Sequence, residues 1–391
     1  MRRYLIATAV ALSACSAALA DTIGDVLKQI AANNLTLQSA AHDTRADVLD
    51  VKATNTLGGP SVEYSPFFTK GYSGVAESEL VVSQEIDFPT KYAARSKQAQ
   101  MQQAVGEKQI AKQRRDILLQ AQLVCLDLIR VNQTLAMLRE RLANSDTLLL
   151  MYEKRMEAGD ANALELNKVK LDCMEVQTLV SEAQNERMLL LQQLAELNGG
   201  KPVTIDDVEI PKFQPIADFE SYKALALASD ADIQMAETML QSADMNVKMQ
   251  KREWLPDISF GYRRNTEQKE AVNGVLVGVS FPLYSNSKNI RAAKERRRSA
   301  QLQVEQARST AESQLRSGYQ QLVGLQQVLD HSDVKMMQES IELFAKALQQ
   351  GEINALEYYT EVNSIYEKLQ RHIDVHTQSA KLLAALHKNE L

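Results

Sequence analysis

Two periods of apolar and polar residues alternate along this chain. Apolar positions at helical spacing over residues 22–56 give way at Pro60 to the short alternating stretches SVEYSPFFT and SELVVSQEIDF. The same change recurs where residues 217–254 give way at Pro256 to DISFGYRRN and NGVLVGVSF. Alternation with flanking turn residues predicts a strand pair in each block. In the second pair, Ile258, Phe260 and Tyr262 fall on one face, as do Val275, Val277, Val279 and Phe281. Pro89 and Pro282 are expected to close the second strand of each pair, since a residue without a backbone N–H ends a ladder at little cost. From Lys91 to Met156 a helical pattern then runs with one glycine and no proline. At 1.5 Å per residue this predicts on the order of 100 Å of helix, longer than a globular core can use.

The recurrence is a duplication. At an offset of 196, Gln38, Ala40, Val51, Lys52 and Pro60 meet Gln234, Ala236, Val247, Lys248 and Pro256; DFP at 87–89 meets SFP at 280–282; NALE at 162–165 meets NALE at 354–357. Matches that stay in order with so little drift mark one ancestral unit written twice. Repeat 1 covers 21–198, with strands within 60–89 and a hairpin tip near 156–163. A linker or equatorial segment follows at 199–215, and repeat 2 covers 216–391, with strands within 256–284 and a tip near 348–355. At each tip a glycine, Gly159 or Gly351, is placed to end one helix. An Asn-x-x-Glu pair, Asn162 with Glu165 or Asn354 with Glu357, is spaced as the capping box that starts the next. The fold class is therefore mainly α with a β contribution, built as two tandem units of strand pair and long helical hairpin.

Composition narrows the function. The net charge of −6 over 391 residues gives nucleic acid no electrostatic purchase, and 5% aromatic content with few glycines and prolines suits long helices. The first twenty residues read as an export signal: Arg2 and Arg3, the apolar YLIATAVALSA, then ALA before Asp21. Cleavage after Ala20 is the preferred reading; LSAC at 12–15 is the competing one, in which Cys15 would be lipidated. No other run reaches the roughly 18 apolar residues of a membrane helix, so a membrane span would be made of strands. Cys125 and Cys173 fall at different distances from the tip glycine and are read as separate core residues rather than a disulfide.

Chemistry-bearing patterns are sparse. Met235, Met239, Met245 and Met249 form two helical pairs suited to packing, and His372 with His376 lacks a third ligand. No nucleophile–base–acid arrangement or phosphate loop occurs, so neither catalysis, a cofactor nor a metal is expected. Lys91, Arg95 and Lys97, and then Lys288, Arg291, Lys294, Arg296, Arg297 and Arg298, make both strand-to-helix corners basic. They suit either a solvated helix face or contact with anionic lipid.

The tips YEKRMEAGDANALELNKVK and FAKALQQGEINALEYYTEV, with WLPDISFGYRRN and LVGVSFPLY, resemble the TolC family of outer-membrane efflux proteins across the whole mature chain. The phrases around Trp254 and Gly278 are similar to its heavy-metal branch. The resemblance implies a homotrimer with a twelve-strand outer-membrane barrel, continued by a helical tunnel through the periplasm. It also implies a periplasmic adaptor, an inner-membrane pump of the resistance-nodulation-division type, and outer-membrane lipid as partners. Four strands cannot close a barrel alone, and open edges in lipid leave unpaired backbone groups, so oligomerisation fits the physics too. Phe88, Phe281 and Tyr284 are placed for an interfacial aromatic girdle. By the same resemblance Gly159, Asp160, Asn162 and Glu165, with Gly351, Glu352, Asn354 and Glu357, line a periplasmic aperture. The glutamates would form its acidic ring, although capping alone also explains them. The family's arginine two residues beyond the glycine is replaced by Ala161 and Ile353, which puts a salt-bridge lock in doubt. A periplasmic adaptor, or a structural helical-hairpin protein of an envelope-spanning complex, is the alternative function.

Overall fold

Helix and strand follow one order twice. In a computed structural model describing residues 23–71, 73–267, 270–281 and 286–391, the first half runs α1 (Ile23–Asn33), α2 (Leu35–Ala53), β1 (Ser61–Phe67), β2 (Glu77–Ile86), α3 (Pro89–Ala158) and α4 (Ala163–Leu197). The second half runs α5 (Phe219–Ser229), α6 (Ala231–Arg252), β3 (Asp257–Glu267), β4 (Glu270–Ser280), α7 (Asn286–Asp330), α8 (Val334–Gln350) and α9 (Ala355–Leu386), ending in a 3₁₀ turn at His387–Glu390. Cys15 with the export segment, Pro282 and Tyr284 lie outside the described residues.

Three expectations need correction, each for a local reason. The helical segments 22–56 and 217–254 are not continuous. Asn34 and Asp230 adopt extended backbone and cap α2 and α6, their side-chain oxygens accepting from Leu37 N at 3.0 Å and from Asp232 N at 2.9 Å. A side chain that satisfies the orphan N–H groups of a new helix makes the break cheap, and the two caps stand at the same 196-residue offset as the rest of the repeat. Second, Pro89 does not end a strand. The ladder stops at Ile86 and Pro89 is the first residue of α3, where its fixed φ and missing N–H are suited to a helix start. Third, the long helix is unbroken only in repeat 1. The 70-residue α3 has as its counterpart α7 and α8, parted by a cap in which Asp333 accepts from Met336 N at 2.9 Å.

The chain forms two compact units, each drawing on both repeats. The tip unit holds residues 23–33, 120–212 and 328–381. Its core joins Leu148, Tyr152 and Val169 to Leu348, Tyr358, Tyr359, Val362 and Tyr366, with a second cluster at Val131, Leu135, Leu138 and Ala183. The segment after α4 is held in this unit by buried Val203 and Ile205. There Asn132 Nδ2 donates to the carbonyls of Ile205 (3.1 Å) and Asp207 (3.0 Å), so that non-helical backbone stays satisfied. Cys125 and Cys173 are separate buried thiols.

The sheet unit holds residues 34–119, 213–327 and 382–391. Its four strands pair antiparallel in the order β1-β2-β3-β4, so β1 and β4 are edges within one chain. Ala226, Leu315, Leu322 and Leu386 form a core. The chain end is tied to it by Tyr222 Oη donating to Leu386 O at 2.6 Å and by stacking of Phe219 on Tyr319. Among the described residues no helix is long and apolar enough to cross a membrane.

Candidate functional site

The two hairpin tips are built alike, bond for bond. Helix α3 ends where Gly159 turns left-handed (φ 78°); Gly159 N donates to Met156 O at 3.1 Å and Asp160 N to Arg155 O at 2.8 Å. At the end of α8, Gly351 (φ 76°) donates to Leu348 O at 3.2 Å and Glu352 N to Ala347 O at 3.0 Å. Both are Schellman closures, which satisfy the last helical carbonyls and favour glycine because φ is positive. The return helices then start with reciprocal capping boxes. Glu165 N donates to Asn162 Oδ1 at 2.9 Å and Asn162 N to Glu165 Oε2 at 3.2 Å, while Glu357 N donates to Asn354 Oδ1 at 2.9 Å and Asn354 N to Glu357 Oε2 at 3.2 Å. One carboxylate oxygen of each glutamate serves the cap.

What surrounds the caps was only partly readable from sequence. Ala161 and Ile353, where an arginine would stand, pack instead against the core of the tip unit and anchor each reversal from inside. Leu164 and Leu356 point away from it, 81% and 64% exposed. They were missed as candidates, although the repeated NALE carried the signal: an apolar residue kept in both copies at a solvent-facing position.

Behind the tips lies a buried polar network. Arg141 Nη2 donates to Asp172 Oδ1 at 2.9 Å and to Asn363 Oδ1 at 3.0 Å, Ser145 Oγ donates to Asp172 Oδ2 at 2.8 Å, and the Arg141 guanidinium lies over the Tyr366 ring. This ties α3, α4 and α9 together, and burial pushes the Tyr358 phenol up to about 12. His372 and His376, with ring centroids 6.0 Å apart, line a groove of about 860 Å³ between α3, α8 and α9. Burial lowers both imidazoles below the usual histidine range, and His376 lowers His372 further. Among the described residues no group of three or more metal-ligating side chains occurs; Met235, Met245 and Met249 are half-buried along α6 and Met239 is exposed there.

The two faces of the sheet differ in composition, one being predominantly apolar. Cross-strand partners Val62–Val82, Tyr64–Leu80, Ile86–Ile258, Phe260–Val277 and Tyr262–Val275 share one face. On it Val62, Tyr64, Val275, Val277 and Val279 remain exposed, Val275 by 83%. The other face is more mixed: it carries Ser61, Glu63, Ser83, Glu85, Gly261, Arg263, Gly274 and Gly278 together with Phe67, Val81, Val272 and Leu276, and Arg263 is paired to Glu79 at 2.8 Å. An apolar face of this extent, uncovered in one chain, is suited to lipid, and the face richer in charge and glycine to water.

At the strand-to-helix corner the basic residues of repeat 1 turn inward. Lys91 is buried, its Nζ 2.6 Å from Asp257 Oδ1, and Arg95 forms a fork with Glu253, both bonds at 3.0 Å, and also pairs with Asp87. These charges fasten the start of α3 to the start of β3. Lys97 and the basic residues of α7 are exposed.

The profile of the outer membrane efflux protein family matches residues 224–388, which is most of repeat 2. No curated protein matches the chain by sequence. Solved structures similar in fold include CusC, determined to follow folding and transmembrane channel formation, at 16% identity with a TM-score of 0.76, covering 95% of this chain and 92% of that one. The outer membrane protein VceC from Vibrio cholerae is similar at 15% identity and TM-score 0.76, covering 94% of this chain and 95% of its own. The Campylobacter jejuni CmeC outer membrane channel is similar at 13% identity and TM-score 0.73, covering 94% and 85%.

Proposed function

We propose that this chain is an outer-membrane efflux channel of the outer membrane efflux protein family, a reading supported by the family match over residues 224–388 and the shared fold, and that its parts divide the work as follows. Three copies join their four-stranded sheets edge to edge into one barrel, apolar faces toward lipid and the more polar faces toward a water-filled bore. The observation that carries this is the amphipathic sheet with two unpaired edges, β1 and β4. An edge left open in hydrocarbon costs several kcal/mol per unpaired group, and only closure removes it. Transport through such a bore is passive conduction, without a chemical step.

The hairpin tips serve as the periplasmic entrance. Asp160, Glu165, Glu352 and Glu357 give each chain four carboxylates there, and negative charge converging on a narrow aqueous throat enriches cations. The exposed Leu164 and Leu356 supply apolar contacts for the helical end of a periplasmic adaptor, which links the channel to an inner-membrane pump of the resistance-nodulation-division type. That pump class is supported by the likeness of the phrases around Trp254 and Gly278 to the heavy-metal branch of the TolC family.

Membrane fractionation followed by electrophoresis with and without boiling tests this reading. A trimer band in the outer-membrane fraction that collapses to 43.6 kDa or slightly less on heating, with single-channel conductance in planar bilayers, is the expected result. A monodisperse monomer, soluble without detergent, would overturn it.

A further inference from the structure

The first three turns of α7 carry a charge pattern that the isolated chain has no reason to hold. Lys288, Arg291, Lys294, Arg296, Arg297 and Arg298 stand within eleven residues against one acid, Glu295, and all six are exposed. Positive charge is unfavourable at a helix N-terminus, where the macrodipole is itself positive. Arg291 with Lys294 and Lys294 with Arg298 are like-charged neighbours at i, i+3 and i, i+4, which adds repulsion. Among the described residues an ion pair relieves only Arg297, through Asp244. Repeat 1 solves the same corner differently, with Lys91 and Arg95 locked to Asp257, Glu253 and Asp87.

Helical geometry gathers four of these side chains into one stripe. Lys288, Arg291, Lys294 and Arg298 recur at three- and four-residue steps, on the side of α7 opposite buried Ala293, Ala300 and Val304. The stripe ends abruptly. From residue 299 to 330 the helix holds Glu305, Glu312 and Asp330 against Arg308 and Arg316. Positive charge is thus confined to the end of α7 that adjoins β4.

That end of the sheet has a second feature. The register Asp257–Ser280 puts the start of β3 and the end of β4 side by side. Trp254, just before β3, and Phe281, just after β4, are 51% and 60% exposed there, and exposed Lys251 and Arg252 close α6 beside them. Apolar strand faces, then exposed aromatics, then a basic stripe is the order of environments met on leaving a bilayer through its headgroups.

We propose that the basic stripe Lys288–Arg291–Lys294–Arg298 is a docking surface for the phosphodiester headgroups of anionic phospholipid in the leaflet bordering the helical part of the protein. The inference rests on the reading of the sheet as membrane-spanning. Phosphates bridging the stripe would cancel the helix-end and neighbour repulsion together, and would fix the depth at which the barrel rides in the membrane.

The test uses the mature protein in mild detergent, titrated with phosphatidylglycerol or phosphatidylethanolamine at low ionic strength and followed by native mass spectrometry. Single-channel conductance is recorded on the same preparations. The wild type is expected to bind phosphatidylglycerol at least about tenfold more strongly. The variant K288Q/R291Q/K294Q/R298Q should lose that preference while still inserting and conducting. A control with equal charge loss on the tip unit, K154Q/K170Q/K335Q/K346Q, should keep it. A conducting wild type without the preference, or a quadruple α7 variant that retains it, overturns the inference and leaves the channel reading intact. An α7 variant with changed ion selectivity and unchanged lipid preference also overturns it, since the stripe would then line the aqueous path. A wild type that neither inserts nor conducts overturns instead the channel reading on which the inference rests.

Discussion

Replacing Glu165 and Glu357 with glutamine separates charge from capping at the entrance. The aperture carboxylates are Asp160 with Glu165 and Glu352 with Glu357, and neutralising Glu165 and Glu357 removes six negative charges from those that three chains would bring together. A unit charge about 10 Å from an ion in water contributes roughly 0.4 kcal/mol. Six such charges amount to about 2.5 kcal/mol unscreened, falling to about 1 kcal/mol at 0.1 M salt, where the Debye length is about 10 Å. Cation occupancy of the throat should therefore drop about fivefold at 0.1 M salt and more at 0.01 M, and the reversal potential under a salt gradient across a planar bilayer reads the change directly. The caps should survive. Glutamine offers a carbonyl oxygen where Glu165 Oε2 and Glu357 Oε2 now accept the Asn162 and Asn354 N–H groups at 3.2 Å. Alanine at both positions removes the charge and the glutamate half of each capping box, the Asn162 and Asn354 side chains still accepting from the backbone N–H groups of residues 165 and 357, and should loosen each tip by about 1 kcal/mol. If the glutamine variant keeps the wild-type cation preference at low salt while the alanine variant alone changes gating, the glutamates are caps and the acidic-throat assignment is wrong.

Substituting Lys91→Met strands Asp257 at a partly buried corner, while Glu253 keeps its fork with Arg95, and should destabilise the fold by about 3 kcal/mol, seen as a lower thermal unfolding temperature; Lys91→Arg should recover part of it. Gly159→Ala and Gly351→Ala should each cost about 1 kcal/mol, because an added Cβ meets nothing within 4 Å and only the positive φ is strained; thermal unfolding measures it. Leu164→Gln with Leu356→Gln, which adds no charge at the tips, should abolish efflux in cells without changing conductance in bilayers, and retained efflux would exclude these leucines from adaptor docking. His372 and His376 have folded-state pKa values below their unfolded ones, so their contribution is complete above the unfolded pKa and is lost as pH falls through the folded values. Denaturant unfolding should accordingly show a tip unit less stable at pH 5 than at pH 7.5, with the slope reduced in H372Q/H376Q.

Which features were readable in the sequence follows from how far apart their determinants lie. The tips were legible because Gly159, Asn162 and Glu165 act within one turn, and the second copy at Gly351 repeated the message. The strand pairs were legible because alternation is local, and each pair is bounded by turn residues in the sequence itself. The breaks at Asn34 and Asp230 were not, since a lone Asn or Asp in a helical period is as compatible with a solvent-facing position as with a cap. Lys91 and Arg95 were read with the other basic residues because Glu253 and Asp257, which claim them, stand 158 and 166 residues away along the chain. Leu164 and Leu356 were passed over because burial is a property of the folded hairpin, and their apolar character alone suggested core.

The unpaired edges of β1 and β4 have a genetic corollary. In the proposed barrel of three chains each copy would take part in two of the three seams, so one copy with a spoiled edge would spoil the whole pore. In a cell making intact and edge-defective chains in equal amounts, with random assembly, only about one barrel in eight would be built from sound copies alone. Edge mutations should therefore act dominantly, poisoning assemblies in trans, while tip mutations that leave the seams alone should dilute with dosage.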